Sequence, residues 1–160
     1  MTTTTAIPAL SVDDLRTLVQ DLAADREAWE PLVRHDVHQR GVSLLMRDDQ
    51  VEVWVLSWLH GQDTGYHDHG GSTAAIRVTR GEICEERLTL TGPPRGQTLD
   101  EHSVGVVPPL HIHRVYHSGP VPAVSIHAYS PPLGDVGVYS EDPEGLIERR
   151  VQPGDHELSP

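Results

Sequence analysis

At 160 residues, 37% hydrophobic and 22% charged, the chain is long enough for one domain with a single core and too apolar to stay disordered. A net charge of −12 with histidine neutral, and no cluster of Lys or Arg, argues against nucleic acid phosphates and anionic membrane surfaces as partners. Cys84 is the one cysteine, so no intrachain disulfide can form. The start, MTTTTAIPAL, has neither a basic region nor a long apolar run, which predicts a cytoplasmic protein without signal peptide or membrane span.

The elements follow in order. Residues 1–9 read as a frayed tail. Ser11 is a good N-cap with Asp14 at the capping-box position, and Leu10 and Leu15 suit a hydrophobic staple. Leu15, Leu18, Val19 and Leu22 recur at helical spacing, so an amphipathic helix is predicted over roughly 11–25, and Pro31 marks a second short helix near 26–34. Then the period changes. Residues 42–47 and 51–59 are rich in β-formers and flank the turn Asp48-Asp49-Gln50. Further strands are predicted at 74–80, 82–90, 103–107, 110–117, 122–130 and 136–139, separated by Gly and Pro signals such as Gly92-Pro93-Pro94 and Pro131-Pro132. Many short strands behind N-terminal helices predict an all-β sandwich or barrel spanning one domain, 1–160, with a loose end over 152–160.

Histidine is the outlier, with 11 in the chain. In GYHDHGG, His67 and His69 fall on one face if the segment is extended, and Asp68 must then point away. His111 and His113 share a face in a later strand. Over 122–130, Ser125, His127 and Tyr129 alternate with Ile126 and Ala128. A solvated strand face would carry Lys, Glu and Thr; a Ser-His-Tyr face reads as the lining of a cavity. Two or more of these histidines are therefore expected to bind a metal. Neutral imidazoles suit Zn, Fe, Cu or Ni, and a His₃ site leaves positions open for substrate. The residues alone do not choose among these metals. Trp54, Leu56 and Trp58, at even spacing, read as core.

The spacing Gly61, five residues, His67-Asp68-His69, four residues, Ala74, six residues, Gly81 resembles the first cupin motif, with Ala74 where a glutamate ligand usually stands. Pro108 to His113 approximates the second. More specifically, WLHGQDTGYHDHGGS at 58–72, HRV at 113–115 and PAVSIHAYSPPL at 122–133 resemble the cysteine dioxygenase (thiol dioxygenase) family of cupins, and the likeness covers roughly residues 30–150. That resemblance implies a cupin-type β-sandwich or barrel (jelly roll) with short N-terminal helices. It implies Fe(II) held by His67, His69 and His113, with His113 preferred to His111 because Arg114-Val115 follows it. Ser125, His127 and Tyr129 match the family's hydrogen-bonded triad, with His127 orienting the Tyr129 hydroxyl. His111 and His117 become polar neighbours rather than ligands.

The implied activity is oxidation of a small thiol, such as L-cysteine, to its sulfinic acid with both atoms of O₂, by a monomer or weak homo-oligomer. Mammalian members have a cysteine at the Ala74 position, joined to the tyrosine matching Tyr129. Ala74 cannot form that bond, so no cross-link is expected, and Cys84 reads as an ordinary strand residue. Cysteine-specific members hold the substrate carboxylate with an early arginine; Arg40 and Arg47 are the candidates, neither aligning cleanly. 3-Mercaptopropionate or another small thiol therefore stays open as substrate. The alternatives are a cupin metalloenzyme of other chemistry and a non-catalytic cupin that senses a thiol or metal.

Overall fold

A computed structural model describes residues 8–154. Helix α1 (Val12–Ala24) is capped by Ser11, whose Oγ accepts from the Asp14 amide at 3.1 Å while donating to the Asp14 carboxylate at 2.6 Å. A short helix α2 (Arg26–Trp29) and a 3₁₀ turn (Glu30–Leu32) follow, close to the predicted 26–34. Most of the expected frayed tail, residues 1–7, lies outside the described residues, as does 155–160. Leu10 is anchored, its amide donating to Ser130 Oγ at 2.8 Å.

Eleven strands come next: β1 (Gly41–Arg47), β2 (Glu52–Trp58), β3 (His67–Asp68), β4 (Thr73–Arg80), β5 (Glu82–Arg87), β6 (Arg95–Asp100), β7 (Val104–Val107), β8 (His113–Tyr116), β9 (Ala123–Ser130), β10 (Asp135–Glu141) and β11 (Ile147–Pro153). They form two antiparallel sheets, ordered β1-β2-β9-β4-β7 and β11-β10-β3-β8-β5-β6. This is the mostly-β, two-sheet cupin architecture with short N-terminal helices. The β1–β2 hairpin turns where expected, with the Asp48 carboxylate accepting from the amides of Gln50 and Val51.

Two apolar clusters sandwich the first sheet. Between the sheets lie Leu56, Trp58, Ile76, Ile83 and Val115. On the outer face, Val53, Val55, Ala75, Ile126 and Ala128 pack under Leu15 and Val19 of α1. Full burial of one such Leu or Val is worth about 1.5–3 kcal/mol. The even positions of β2 and the odd positions of β9 thus face inward while the alternating apolar residues face the helix. This is why every residue of β9 is buried although its two faces differ in chemistry.

The strand predictions err at the second sheet. β5 ends at Arg87 rather than 90, β8 starts only at His113, and β6 and β11 were not anticipated. β6 (RGQTLD) and β11 (IERRVQP) are the sheet's edges and bury little, so they carry no alternating apolar signal. Gln152 and Pro153, read as a loose end, pair with Val136 and Asp135. Among the described residues no helix is long and apolar enough to cross a membrane.

Candidate metal centre

His67 and His113 face each other directly across the β3–β8 ladder, so the pairing register puts both rings on the inner face. His69 follows two residues after His67 on the same side, at the turn where Gly70 takes φ 57°. A Cβ on Gly70 would lie 2.5 Å from the Asp135 carbonyl oxygen, so this turn admits only glycine. All three histidines are buried, with ring centroids 4.5–5.0 Å apart.

The tautomers of two rings follow from their partners. His67 Nδ1 faces the Gly65 carbonyl at 2.9 Å, and His113 Nδ1 faces the Glu85 carboxylate at 2.9 Å. Both partners only accept, so each Nδ1 carries the hydrogen and each Nε2 presents a lone pair. The Nε2 atoms converge, 3.1 Å from His67 to His69 and 3.3 Å from His113 to His69. Imidazoles bound to one ion at about 2.1 Å stand about 3.0 Å apart at right angles and about 3.4 Å apart at tetrahedral angles. The trio therefore fits a single metal ion, and among the described residues it is the metal-capable group of three. Burial first, and then the neighbouring His67 and His69, hold the His113 pKa down at about 3 against the pull of Glu85, which keeps the ring neutral as a ligand must be.

Asp68, between the two histidines, points to the opposite face as expected. Its carboxylate accepts from Tyr139 Oη at 2.6 Å, Arg149 Nε at 3.0 Å and the amides of Gly70 and Gly137. Burial raises its pKa, but these donors outweigh it and hold the carboxyl at about 2. It braces the ligand strand against β10 and β11.

The Ser-His-Tyr row of β9 faces the same cavity. Ser125 Oγ lies 2.8 Å from His127 Nε2, and His127 Nδ1 lies 3.5 Å from the Tyr129 hydroxyl. Trp58, read as core, is core and also a partner, its indole N–H donating to Ser125 Oγ at 2.9 Å. An indole only donates, so Ser125 Oγ accepts from Trp58 and keeps one hydrogen and one further lone pair for its contact with His127 Nε2, which ties the row to the core. The Tyr129 ring stands 5.0 Å from that of His69. Ala74 lies directly opposite Tyr129 across β4–β9, where it offers only a methyl group.

The two candidate arginines separate. Arg40, just before β1, lines the pocket with the three histidines, His127 and Tyr129, and its guanidinium lies 5.5 Å from the Trp58 ring. Arg47 is half-exposed, bound to the buried Glu52 carboxylate and stacked 5.9 Å from the Trp54 ring; it is not among the pocket's lining residues. His111 is exposed, and His117 is buried with Nδ1 against the Glu82 carbonyl at 2.9 Å; neither lines the pocket. Cys84 sits on β5 opposite Tyr116.

Sequence reasoning missed Glu85. It follows the buried Ile83 at the next inward position of β5, and a glutamate there is the one signal that could have flagged it.

A two-sheet β fold with three buried imidazoles converging between the sheets defines a cupin with a metal-capable His₃ group. Solved structures agree on the fold. A Klebsiella pneumoniae protein with a double-stranded β-helix domain matches with TM-score 0.56 at 20% identity, over 64% of this chain and 80% of that one. A cupin superfamily protein from Desulfitobacterium hafniense matches with TM-score 0.53 at 18% identity, over 64% and 87%. The family model for cysteine dioxygenase type I matches residues 4–142, and the chain belongs to that family. It is 27% identical over 136 residues to cysteine dioxygenase type 1 of Danio rerio, covering 78% of this chain and 68% of that protein. To the human protein of that name it is 22% identical over 134 residues.

Proposed function

We propose that the chain is a mononuclear non-haem Fe(II) thiol dioxygenase, oxidising a small thiol such as L-cysteine to its sulfinic acid with O₂. The observation that carries this reading is the convergence of three buried imidazole Nε2 atoms beside the Ser125-His127-Tyr129 row, in a chain of the cysteine dioxygenase type I family. His67, His69 and His113 would hold the iron. Bound Fe(II) would supply a Lewis acid that favours thiolate over thiol and the redox chemistry that O₂ requires.

The protein's own groups do the rest. Leu56 and Val115 line the pocket with apolar surface and limit water around the reacting sulfur. Tyr129 presents its hydroxyl beside His69, where it hydrogen-bonds the entering substrate; His127 orients that hydroxyl, and Ser125, held by Trp58, fixes the position of the His127 ring. Arg40 offers a planar bidentate donor for a substrate carboxylate, a role for which Arg47 is disfavoured by its bond to Glu52. A carboxylated small thiol, L-cysteine or 3-mercaptopropionate, is the substrate class this favours.

The test is oxygen uptake by Fe(II)-loaded protein offered L-cysteine, 3-mercaptopropionate and cysteamine separately, with sulfinate measured by mass spectrometry. The expected result is one sulfinate per O₂ consumed, with the carboxylated thiols ahead of cysteamine. No uptake with any of them while iron is bound overturns the reading and leaves a metallocupin of other chemistry or a metal or thiol sensor.

A further inference from the structure

Imidazoles that ligate a metal are neutral, so a His₃ set brings no formal charge of its own to the ion, and a buried carboxylate stands directly behind one of these three rings. Glu85 is buried, and His113 Nδ1 lies 2.9 Å from its Oε1. The rest of its surroundings are built around the charge. Arg87 donates Nε to Oε1 at 3.0 Å and Nη2 to Oε2 at 3.3 Å, and Gln97 donates to Oε2 at 2.5 Å. Arg87 is itself tied to the Val106 carbonyl at 2.6 Å. Buried carboxylates are retained where they are paired and fully hydrogen-bonded, and four donor contacts from three side chains meet that condition. Asp68 shows the contrast: equally buried and nearer in sequence, it faces away and touches no ligand ring.

We propose that Glu85 is a positioning residue that gives the neutral His₃ group, through His113, the negative charge its ligand set lacks, tightening iron binding and lowering the ferric/ferrous potential. A carboxylate on the remote ring nitrogen fixes the ring and makes the ligating nitrogen more basic. The more highly charged ferric ion gains more from that basicity and from a nearby anion than the ferrous ion does. The carboxylate reaches the site through one imidazole rather than directly. Arg87 offsets part of its charge, so the pair sets how much of it reaches the site. The proposal rests on the reading that His67, His69 and His113 hold iron.

The test uses the full chain and Glu85→Gln, which keeps an oxygen for the His113 N–H and removes the charge. Thermal unfolding checks the fold, chelator competition gives the Fe(II) dissociation constant, and EPR-monitored titration gives the midpoint potential. The expected result is a folded variant whose iron affinity falls about 10- to 100-fold. Its midpoint should rise by about 59 mV for each tenfold by which ferric binding loses more than ferrous. Wild-type affinity and midpoint in folded Glu85→Gln overturn the proposal. Should that variant fail to fold, Arg87→Gln decides: a lower midpoint supports the proposal, and an unchanged or higher one overturns it. Wild-type protein that binds iron and shows these shifts but oxidises no thiol would overturn the thiol dioxygenase reading and leave the Glu85 assignment standing.

Discussion

The two sheets hold their polar residues in opposite ways. β9 lies at the centre of the first sheet, between the inter-sheet core and the apolar residues under α1, so Ser125, His127 and Tyr129 stand on a strand packed on both faces. β3 and β8 lie at the centre of the second sheet, but their outer face is polar. There Asp68 is clamped by Arg149 and Tyr139, and Arg114 lies between the rings of Tyr66 and Tyr116 while paired with Asp63 and Glu86. The Ser-His-Tyr row rests on apolar packing, while the proposed ligands rest on a network of charges. A change at one should therefore read out differently from a change at the other.

The largest effect is expected on the ligand side. His113→Ala removes one of three converging nitrogens and should leave the protein without bound iron; wild-type iron stoichiometry, by metal analysis after gel filtration, would reject the assignment. On the β9 side, Tyr129→Phe keeps the packing and should keep iron while lowering turnover by about a hundredfold, within the span of a lost proton-handling group. Unchanged turnover would make the row a scaffold.

Next comes the entrance. Arg40→Ala should raise KM for a carboxylated thiol by about tenfold, equivalent to about 1.4 kcal/mol, and leave cysteamine unaffected. Arg47→Ala should do neither, and steady-state kinetics with both thiols separates them. Asp68→Asn tests the polar brace. It weakens charge-assisted bonds worth about 1.5–3 kcal/mol, and Tm should fall by about 2–4 °C per kcal/mol, with iron lost more readily on heating. If Tm moves and iron retention does not, the brace stabilises the sheet without shaping the site. Trp58→Phe gives the smallest effect. It removes the N–H that Ser125 accepts, worth about 1 kcal/mol, and leaves a void in the core that adds to the loss of Tm, and it should reduce turnover only a few-fold without changing iron content.

The site was legible wherever its chemistry repeats at period two. His67 with His69, and Ser125 with His127 and Tyr129, are each held by one local stretch of extended chain, and alternation alone puts each set on one face. The strands of the first sheet were legible for the same reason, since β2, β4 and β9 must match apolar residues to two buried faces. The edges β6 and β11 have one neighbour and a wet surface, so their composition is free to look like loop. The arginines divide similarly. Both were visible as candidates, but only the folded chain places Arg40 in the pocket's lining and leaves Arg47 outside it beside Glu52.

By itself the sequence determined the all-β class, the paired histidines, the Ser-His-Tyr face and the family likeness, because these depend on period, residue type and short spacings. The tertiary structure decided what stands behind them. Glu85 meets His113 across 28 residues, Trp58 meets Ser125 across 67, and Arg149 meets Asp68 across 81. Such partners are chosen by strand pairing and register between distant segments. A register slip of one residue would turn each of those side chains to the other face, which is why no local pattern could announce them.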